Sequence, residues 1–336
     1  MKKLNIGKLE TEDLKRLVLD KIINNRKEIK IGAGIGEDCA TISFGDFDCV
    51  VSTDPITSSV KDIGRLAVHI SCNDIASDGV EPVAIMLAVM LPDGTTDEDV
   101  SEIMDQAVKA ADEAGVQIAG GHTEITRAVN QPVIVSTAIG KTILGKSQNA
   151  REMKAGDDIL ITKTAGIEGT GIICGDLQDE LTGILSCDEL NHGKSLLNDV
   201  SVVRDGKIAA TVGTSGMHDV TEGGILGALW EVCSISGLGA IVEEDKIPVD
   251  PVTSKIAKHY SLDPMRLISS GCMLITARKE KSAEIIERMA KGGILCSRIG
   301  EIKENPFGLM LKKRSGETEE IGMPGTDELY KAISRG

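Results

Sequence analysis

The stretch GAGIGEDCATI, Gly32 to Ile42, sets three glycines at alternate positions and follows them at once with Glu37, Asp38 and Cys39. Glycines leave a backbone free to adopt conformations closed to other residues. Adjacent carboxylates at the end of such a segment need either water or a cation. The spacing is Gly-x-Gly-x-Gly and no convincing strand precedes it, which excludes the Gly-x-Gly-x-x-Gly dinucleotide turn. The partners of this loop have to be sought in the rest of the chain.

A chain of 336 residues allows two domains and a sizeable core. The longest apolar run, VAIMLAVMLP from Val83 to Pro92, is too short to cross a bilayer. The N-terminal MKKLNIGKLETEDLKRL has basic residues but no apolar signal core, which predicts a cytoplasmic protein without a membrane partner. With 37 basic against 52 acidic residues the net charge is −15, and such a surface repels nucleic acid. It does not repel ATP, because a divalent cation bridges carboxylates to phosphates. One Trp, two Tyr and three Phe leave too few rings for a base-stacking platform. The eight cysteines are scattered, with no Cys-x-x-Cys, and read as buried thiols rather than a disulfide framework or a metal site.

Periodicity predicts a helix capped by Thr11 over 11–26, a strand from Asp48 to Asp54, and a helix through KDIGRLAVHISCNDIASDG. A buried strand VAIMLAVML follows, then the clearest helix, started by Thr96 or Asp97 and stopped by Gly115. VQIAGG and PVIVSTAIG read as strands. The polar REMKAGDD marks a boundary, giving domains 1–150 and 151–336. Beyond it come the strand ILITKT, helices near 189–210, the helix GILGALWEVCSIS, the strand CMLITAR, the helix KEKSAEIIERMAKGG, the strand LCSRIGEI and a hairpin turning at Ser315-Gly316. Strands and helices alternate without strict βαβ spacing, so the fold class is α+β in layers.

Several motifs carry candidate chemistry. GKTILGKS, Gly140 to Ser147, matches a phosphate loop in form, but its bulky interior and the polar residues after it favour a strand end and a turn. Asp38, Asp54, Asp74 and Asp219 each end or flank an element beside Gly, Asn, Ser or Thr. As single residues they read as caps; as a set, short acids around a glycine loop suit Mg²⁺ on a triphosphate. GGHTEITR, Gly120 to Arg127, offers His122, Thr123 and Glu124 after two glycines, and reads equally as a strand-ending turn. AGIEGTG, Ala165 to Gly171, is either an anion site at a helix start or a tight turn. His69, His192 and His259 read as surface or satisfied core residues.

Taken in order, GIGEDCATI, STDP, NDIASDG, GGHTE and HDVTEGGILGAL resemble the AIR synthase superfamily from about Gly32 to Glu301. The resemblance implies a two-domain α+β fold. Its N-terminal mixed sheet with helices pairs with a second copy to form a barrel, and its C-terminal half is an α/β sandwich. It implies a homodimer that binds ATP with Mg²⁺ and phosphorylates an acceptor. Asp38, Asp54, Asp74 and Asp219 match its metal-binding aspartates. Gly34, Gly36, Thr53, Asn73, Gly121, His122, Thr123 and Glu124 match its nucleotide region. His122, His218 and Asp219 are then the candidates for catalytic roles. Within the superfamily the pattern is most similar to the HypE branch of hydrogenase maturation factors. That branch activates a carbamoyl oxygen with ATP and implies a maturation partner. The branch's Glu-Gly-Lys element appears here as Ser270-Gly271-Cys272, and the last cysteine is Cys296. The same scaffold serves thiamine-monophosphate kinase and selenophosphate synthetase, and a non-catalytic ATP-binding assembly partner is the remaining alternative.

Overall fold

The computed structural model describes residues 4, 9, 11–23, 26–57, 61–148 and 152–333. The expected boundary at 150/151 and part of the expected helix over 11–26 lie outside these residues.

The first half is one six-stranded mixed sheet, ordered β1-β2-β3-β6-β4-β5. Its strands are β1 (Ile29–Ile31), β2 (Ala40–Phe44), β3 (Phe47–Ile56), β4 (Pro82–Leu91), β5 (Gln117–Ile125) and β6 (Val133–Ile143). Side chains alternate across a strand. In β3 this turns Asp48, Val50, Ser52 and Ile56 inward and leaves Phe47 and Thr53 exposed. The inward face is covered by α2 (Ile63–Ser77), buried along its whole length, which packs on β3 and β6. Outside it lies α3 (Asp97–Ala114), whose ends match the sequence reading: Thr96 makes a capping box with Asp99, and Gly115 closes it in the left-handed region at φ 70.

The second half is a seven-stranded mixed sheet, β13-β12-β9-β11-β7-β10-β8. Its strands are β7 (Asp158–Thr162), β8 (Gly216–Asp219), β9 (Gly239–Glu243), β10 (Met273–Ala277), β11 (Cys296–Lys303), β12 (Leu309–Lys312) and β13 (Thr318–Glu320). Its helices are α4 (Ile167–Asp176), α5 (Cys187–Ser195), α6 (Val203–Val212), α7 (Gly224–Ser236), α8 (Pro251–Tyr260), α9 (Lys279–Lys291) and α10 (Leu329–Ile333). The architecture is therefore the expected pair of mixed sheets with helices.

Helix α2 joins the halves. Its Asn73 donates from Nδ2 to the Val200 carbonyl and accepts from the Val202 N–H, both at 2.8 Å. Arg65 donates to the Leu197 and Asn198 carbonyls at 3.3 and 3.1 Å. One continuous apolar core runs from Cys39 and Val50 through Ile75 to Met217 and Leu274.

Three readings need correction. The N-terminal helix α1 stops at Leu17 (Thr11–Leu17), because no described residue covers its apolar continuation: Val18, Ile22 and Ile23 are exposed. A short strand, β1, does precede the glycine loop; a strand rather than a helix follows it, so the dinucleotide reading stays excluded. GGHTE does not end a strand, since β5 runs through it to Ile125. The formal phosphate loop is, as read, a strand end: Gly140 to Ile143 belong to β6, and Lys146 N bonds back to the Ile143 carbonyl in a turn.

Replacing Thr96 with Ala should lower unfolding stability by about 1 kcal/mol, because it removes the cap acceptor for the Asp99 N–H at 3.2 Å. Thermal and urea denaturation check this, and Asp99→Ala should lose a similar amount without adding to it.

Candidate metal and nucleotide site

Four separate elements deliver the acids to one place. Asp54 comes from the inward side of β3, Asp74 from the last turn of α2, and Asp219 is the final residue of β8. Asp38 follows the glycine loop. The Ser52 hydroxyl donates to Asp74 Oδ2 and lies 3.3 Å from Asp54 Oδ2, tying strand to helix. Ligand atoms of Asp38, His218 and Asp219 all lie within 4.8 Å of one another. The loop is held against α7: Gly36 sits at φ 70, and a Cβ there would stand 2.5 Å from Ile235 Cδ1. Gly34 needs no such conformation; its candidate role rests on sequence alone.

The electrostatics are lopsided. Asp219 is 1% exposed, and neither carboxylate oxygen has a hydrogen-bond partner. Burial, with the Asp38 charge, pushes its carboxyl up to about 7. Burial also raises Asp74 well above the carboxylate range, helped by Asp219, Asp54 and Asp38. Among the described residues the one cation at the centre is His218. Burial alone would neutralise it, but Asp38 at 3.3 Å, Glu231 at 3.5 Å and Asp219 outweigh that and hold it at about 9. Its Nδ1 faces the Asp219 carbonyl at 2.6 Å, which fixes a proton there. At neutral pH His218 is thus an imidazolium that fastens Asp38, and it has no free lone pair to act as a base.

These residues fit a hard divalent cation. The donors are carboxylate oxygens, the two on Asp219 accept no hydrogen bond, and the neighbouring acids push Asp74 and Asp219 up. Asp38, Asp54, Asp74 and Asp219 would hold it.

The other candidates lie elsewhere in this chain. Thr53 faces the opposite side of the sheet, its hydroxyl 2.9 Å from that of Thr137. Gly121, His122, Thr123 and Glu124 lie exposed on the edge strand β5, three strands from β3. Gly121 is needed where it is, because a Cβ would stand 1.9 Å from the Leu87 carbonyl oxygen. Among the described residues His122 pairs with Glu124, at 3.5 Å. Asn73, read as part of the nucleotide region, spends its amide on the second half of the chain. In AGIEGTG the first turn of α4 carries a buried carboxyl, Glu168, pushed up to about 7 by burial, which disfavours an anion there. His69 is buried but not satisfied: neither ring nitrogen is hydrogen-bonded, and burial and Arg65 lower it to about 4. A cleft of about 660 Å³ between the halves, lined by His69, Lys163, His192 and Asp205, is separate from the four acids.

Two residues of the site escaped the sequence reading. Asp78, four residues after Asp74 and capping the end of α2, is raised well above its ordinary range by burial and then by Asp38 and Glu37. The i,i+4 spacing was a usable signal. Glu231 reaches His218 from α7, and only the tertiary fold reveals it. Cys39 is buried beside the acids and its thiol is pushed far up, so it is a packing residue. Cys272 donates to the Thr164 carbonyl at 2.8 Å, and burial raises it to about 12; it is no nucleophile.

The family model for AIR synthase related protein, N-terminal domain, matches residues 36–142, and that for the C-terminal domain matches residues 154–312. A Methanocaldococcus jannaschii protein named for hydrogenase expression and formation is 28% identical over 286 residues, 82% of each chain. The carbamoyl dehydratase HypE of Rhodobacter capsulatus is 28% identical over 261 residues, 76% of this chain and 73% of that one. Among solved structures, a chain of the HypE–HypF complex superposes with a TM-score of 0.78 at 24% identity, over 93% of this chain and 99% of that chain. HypE in complex with ATP gives 0.72 at 21% identity, over 98% of both. These superpositions show the fold. No helix among the described residues is long and apolar enough to cross a membrane.

The pKa shifts fix a pH dependence. Asp219 at about 7 stands above its ordinary 3.8, and His218 at about 9 above 6.5. Both protons are held more tightly folded than unfolded, so the metal-free chain loses stability as pH rises through about 4–7 for Asp219 and about 7–9 for His218. Mg²⁺ should therefore raise the melting temperature far more at pH 8 than at pH 5. Asp219→Asn should stabilise the metal-free chain at pH 8 by about 1–3 kcal/mol and abolish the Mg²⁺ effect. Calorimetry at the two pH values, with and without Mg²⁺, reads both outcomes.

Proposed function

We propose, from the premise that this chain belongs to the AIR synthase related family, that it is an ATP- and Mg²⁺-dependent enzyme of the HypE-like branch. It phosphorylates, and so activates, an oxygen of a small or carbamoyl-type acceptor. The observation that carries this is Asp219: a buried carboxylate with two unpartnered oxygens, ringed by Asp38, Asp54 and Asp74. The bound cation would supply charge neutralisation for the triphosphate. Phosphoryl transfer asks a protein mainly for position and charge, which agrees with a site rich in acids and poor in free bases. Asp38, Asp54, Asp74 and Asp219 would hold that cation. The 32–36 loop, anchored by Gly36 on α7, would cover the phosphates. Protonated His218 keeps Asp38 in place.

The remaining nucleotide residues, Thr53, Gly121, His122, Thr123 and Glu124, join the acids in this proposal only through a second copy. β5 is an open edge with exposed residues along nearly its whole length, and the sheet face bearing Thr53 and the 44%-exposed Met86 has no cover among the described residues. Such an edge invites strand pairing. The proposed organisation is a homodimer whose 1–150 halves bind ATP and pair into a barrel, with 151–336 closing the acceptor side. A maturation protein is the partner class in keeping with the HypE–HypF neighbour.

Incubation with Mg-ATP and carbamoyl compounds or thiamine phosphate, following ADP release, tests the chemistry. Wild type should turn over with one acceptor, and Asp54→Asn should lose at least about a hundredfold. Turnover unchanged in Asp54→Asn contradicts the site; tight Mg-ATP binding without turnover on any acceptor leaves a non-catalytic assembly partner. Light scattering tests the pairing: a dimer is expected, and Met86→Arg should yield monomer with a raised KM for ATP. A wild-type monomer with full turnover contradicts it.

A further inference from the structure

The β ladder that positions Asp219 stops at Asp219. Met273 pairs with it, and the Val220 N–H still reaches the Cys272 carbonyl at 2.9 Å. Past that point the two strands continue as the turn Thr221–Gly224, leading into α7, and the segment Leu267–Gly271, leading into β10. Between these two segments the ladder gives way to one long bond, Ser269 N to the Thr221 carbonyl at 3.4 Å, and to close packing of Gly224 on the Leu267 carbonyl. A third segment braces that contact. Asp327, 4% exposed, accepts from Gly223 N at 2.7 Å with Oδ2, and from Ile268 N at 3.2 Å and Leu329 N at 2.8 Å with Oδ1. One carboxylate thus joins the turn after Asp219, the segment before β10 and the first turn of α10. Its neighbour Glu328 ties the same tail to Asp263 N at 3.2 Å, away from the turn.

We propose that Asp327 is a positioning residue for the cation site: it locks the Thr221–Gly224 turn to the Leu267–Gly271 segment and so fixes the reach of Asp219, making the C-terminal tail a clamp on the site. An ionised carboxylate makes stronger hydrogen bonds than a neutral acceptor, and it alone offers two oxygens to three amides. An amide in its place presents N–H groups to N–H groups on one side, releasing either Gly223 or the Ile268–Leu329 pair. The side chain is buried at a cost that a surface acid would not bear, and three backbone amides offset that cost where the ladder gives way to packing.

The inference rests on reading Asp219 as a cation ligand, and the experiment separates the two. Mn²⁺ binding to the full-length protein is measured by the free-Mn²⁺ paramagnetic resonance signal, alongside the melting temperature. Asp327→Asn should weaken Mn²⁺ about tenfold, the loss of a charged hydrogen bond. Glu328→Gln, which loosens the tail away from the turn, should leave Mn²⁺ binding within about twofold of wild type at a similar drop in melting temperature. Unchanged Mn²⁺ affinity in Asp327→Asn, or equal weakening in both variants, overturns the clamp and leaves an ordinary tail anchor. If Asp219→Asn itself binds Mn²⁺ normally, the reading of Asp219 falls first and the clamp with it. Should Asp327→Asn not fold, hydrogen exchange on the wild-type protein decides: Mn²⁺ should slow Gly223, Ile268 and Leu329 amides together. Slowing of Gly223 alone overturns the proposal.

Discussion

A surplus of negative charge around two buried carboxyls, Asp74 and Asp219, is the constraint on which this structure turns. Asp38, Asp54, Asp74 and Asp219 face one another with a single imidazolium among them, and two of the four are pushed up by burial and mutual repulsion. A fold adopts such an arrangement only where something restores the balance. A hydrogen bond and an ion pair do so in part: the Ser52 hydroxyl donates to Asp74, and His218 lies 3.3 Å from Asp38. The Asp219 oxygens accept no hydrogen bond from the described residues, so the deficit is concentrated on the residue best placed to meet a cation.

Helix α2 makes this concentration possible. It is buried on every side, which in a globular protein means that it lies between layers. One face packs on β3 and β6, and its Arg65 and Asn73 bond the backbone at 197–202 of the second half. That double attachment fixes β8, and hence Asp219, relative to β3, and hence Asp54. The glycine loop then needs to supply only Asp38, and Gly36 packed on Ile235 sets where it does so. The site is a junction between two sheets rather than a pocket in one.

Much of this was legible in the chain. The ends of α3 were written in Thr96 and Gly115, and strand β3 in its alternation. The four acids stood out because each sits beside small turn-forming residues at the end of an element. What was not legible depended on distance in the fold. Gly120-Gly121 reads as a strand end because glycine weakens strands, yet β5 continues since only glycine fits against the Leu87 carbonyl. Asn73 looks like a ligand-binding amide beside Asp74, but its partners, Val200 and Val202, lie over 120 residues away. Glu231 and Asp327 carry no local mark, and their roles come from what α7 and the tail are packed against.

The central claim is that these acids converge, through divalent cations, on one triphosphate. Anomalous diffraction from crystals soaked with Mn²⁺ and a non-hydrolysable ATP analogue tests it most directly. The account predicts manganese peaks within ligand distance of Asp219 and its three companions, with the triphosphate spanning them beneath the 32–36 loop. Nucleotide bound elsewhere, or an empty acid cluster at saturating Mn²⁺, would contradict it.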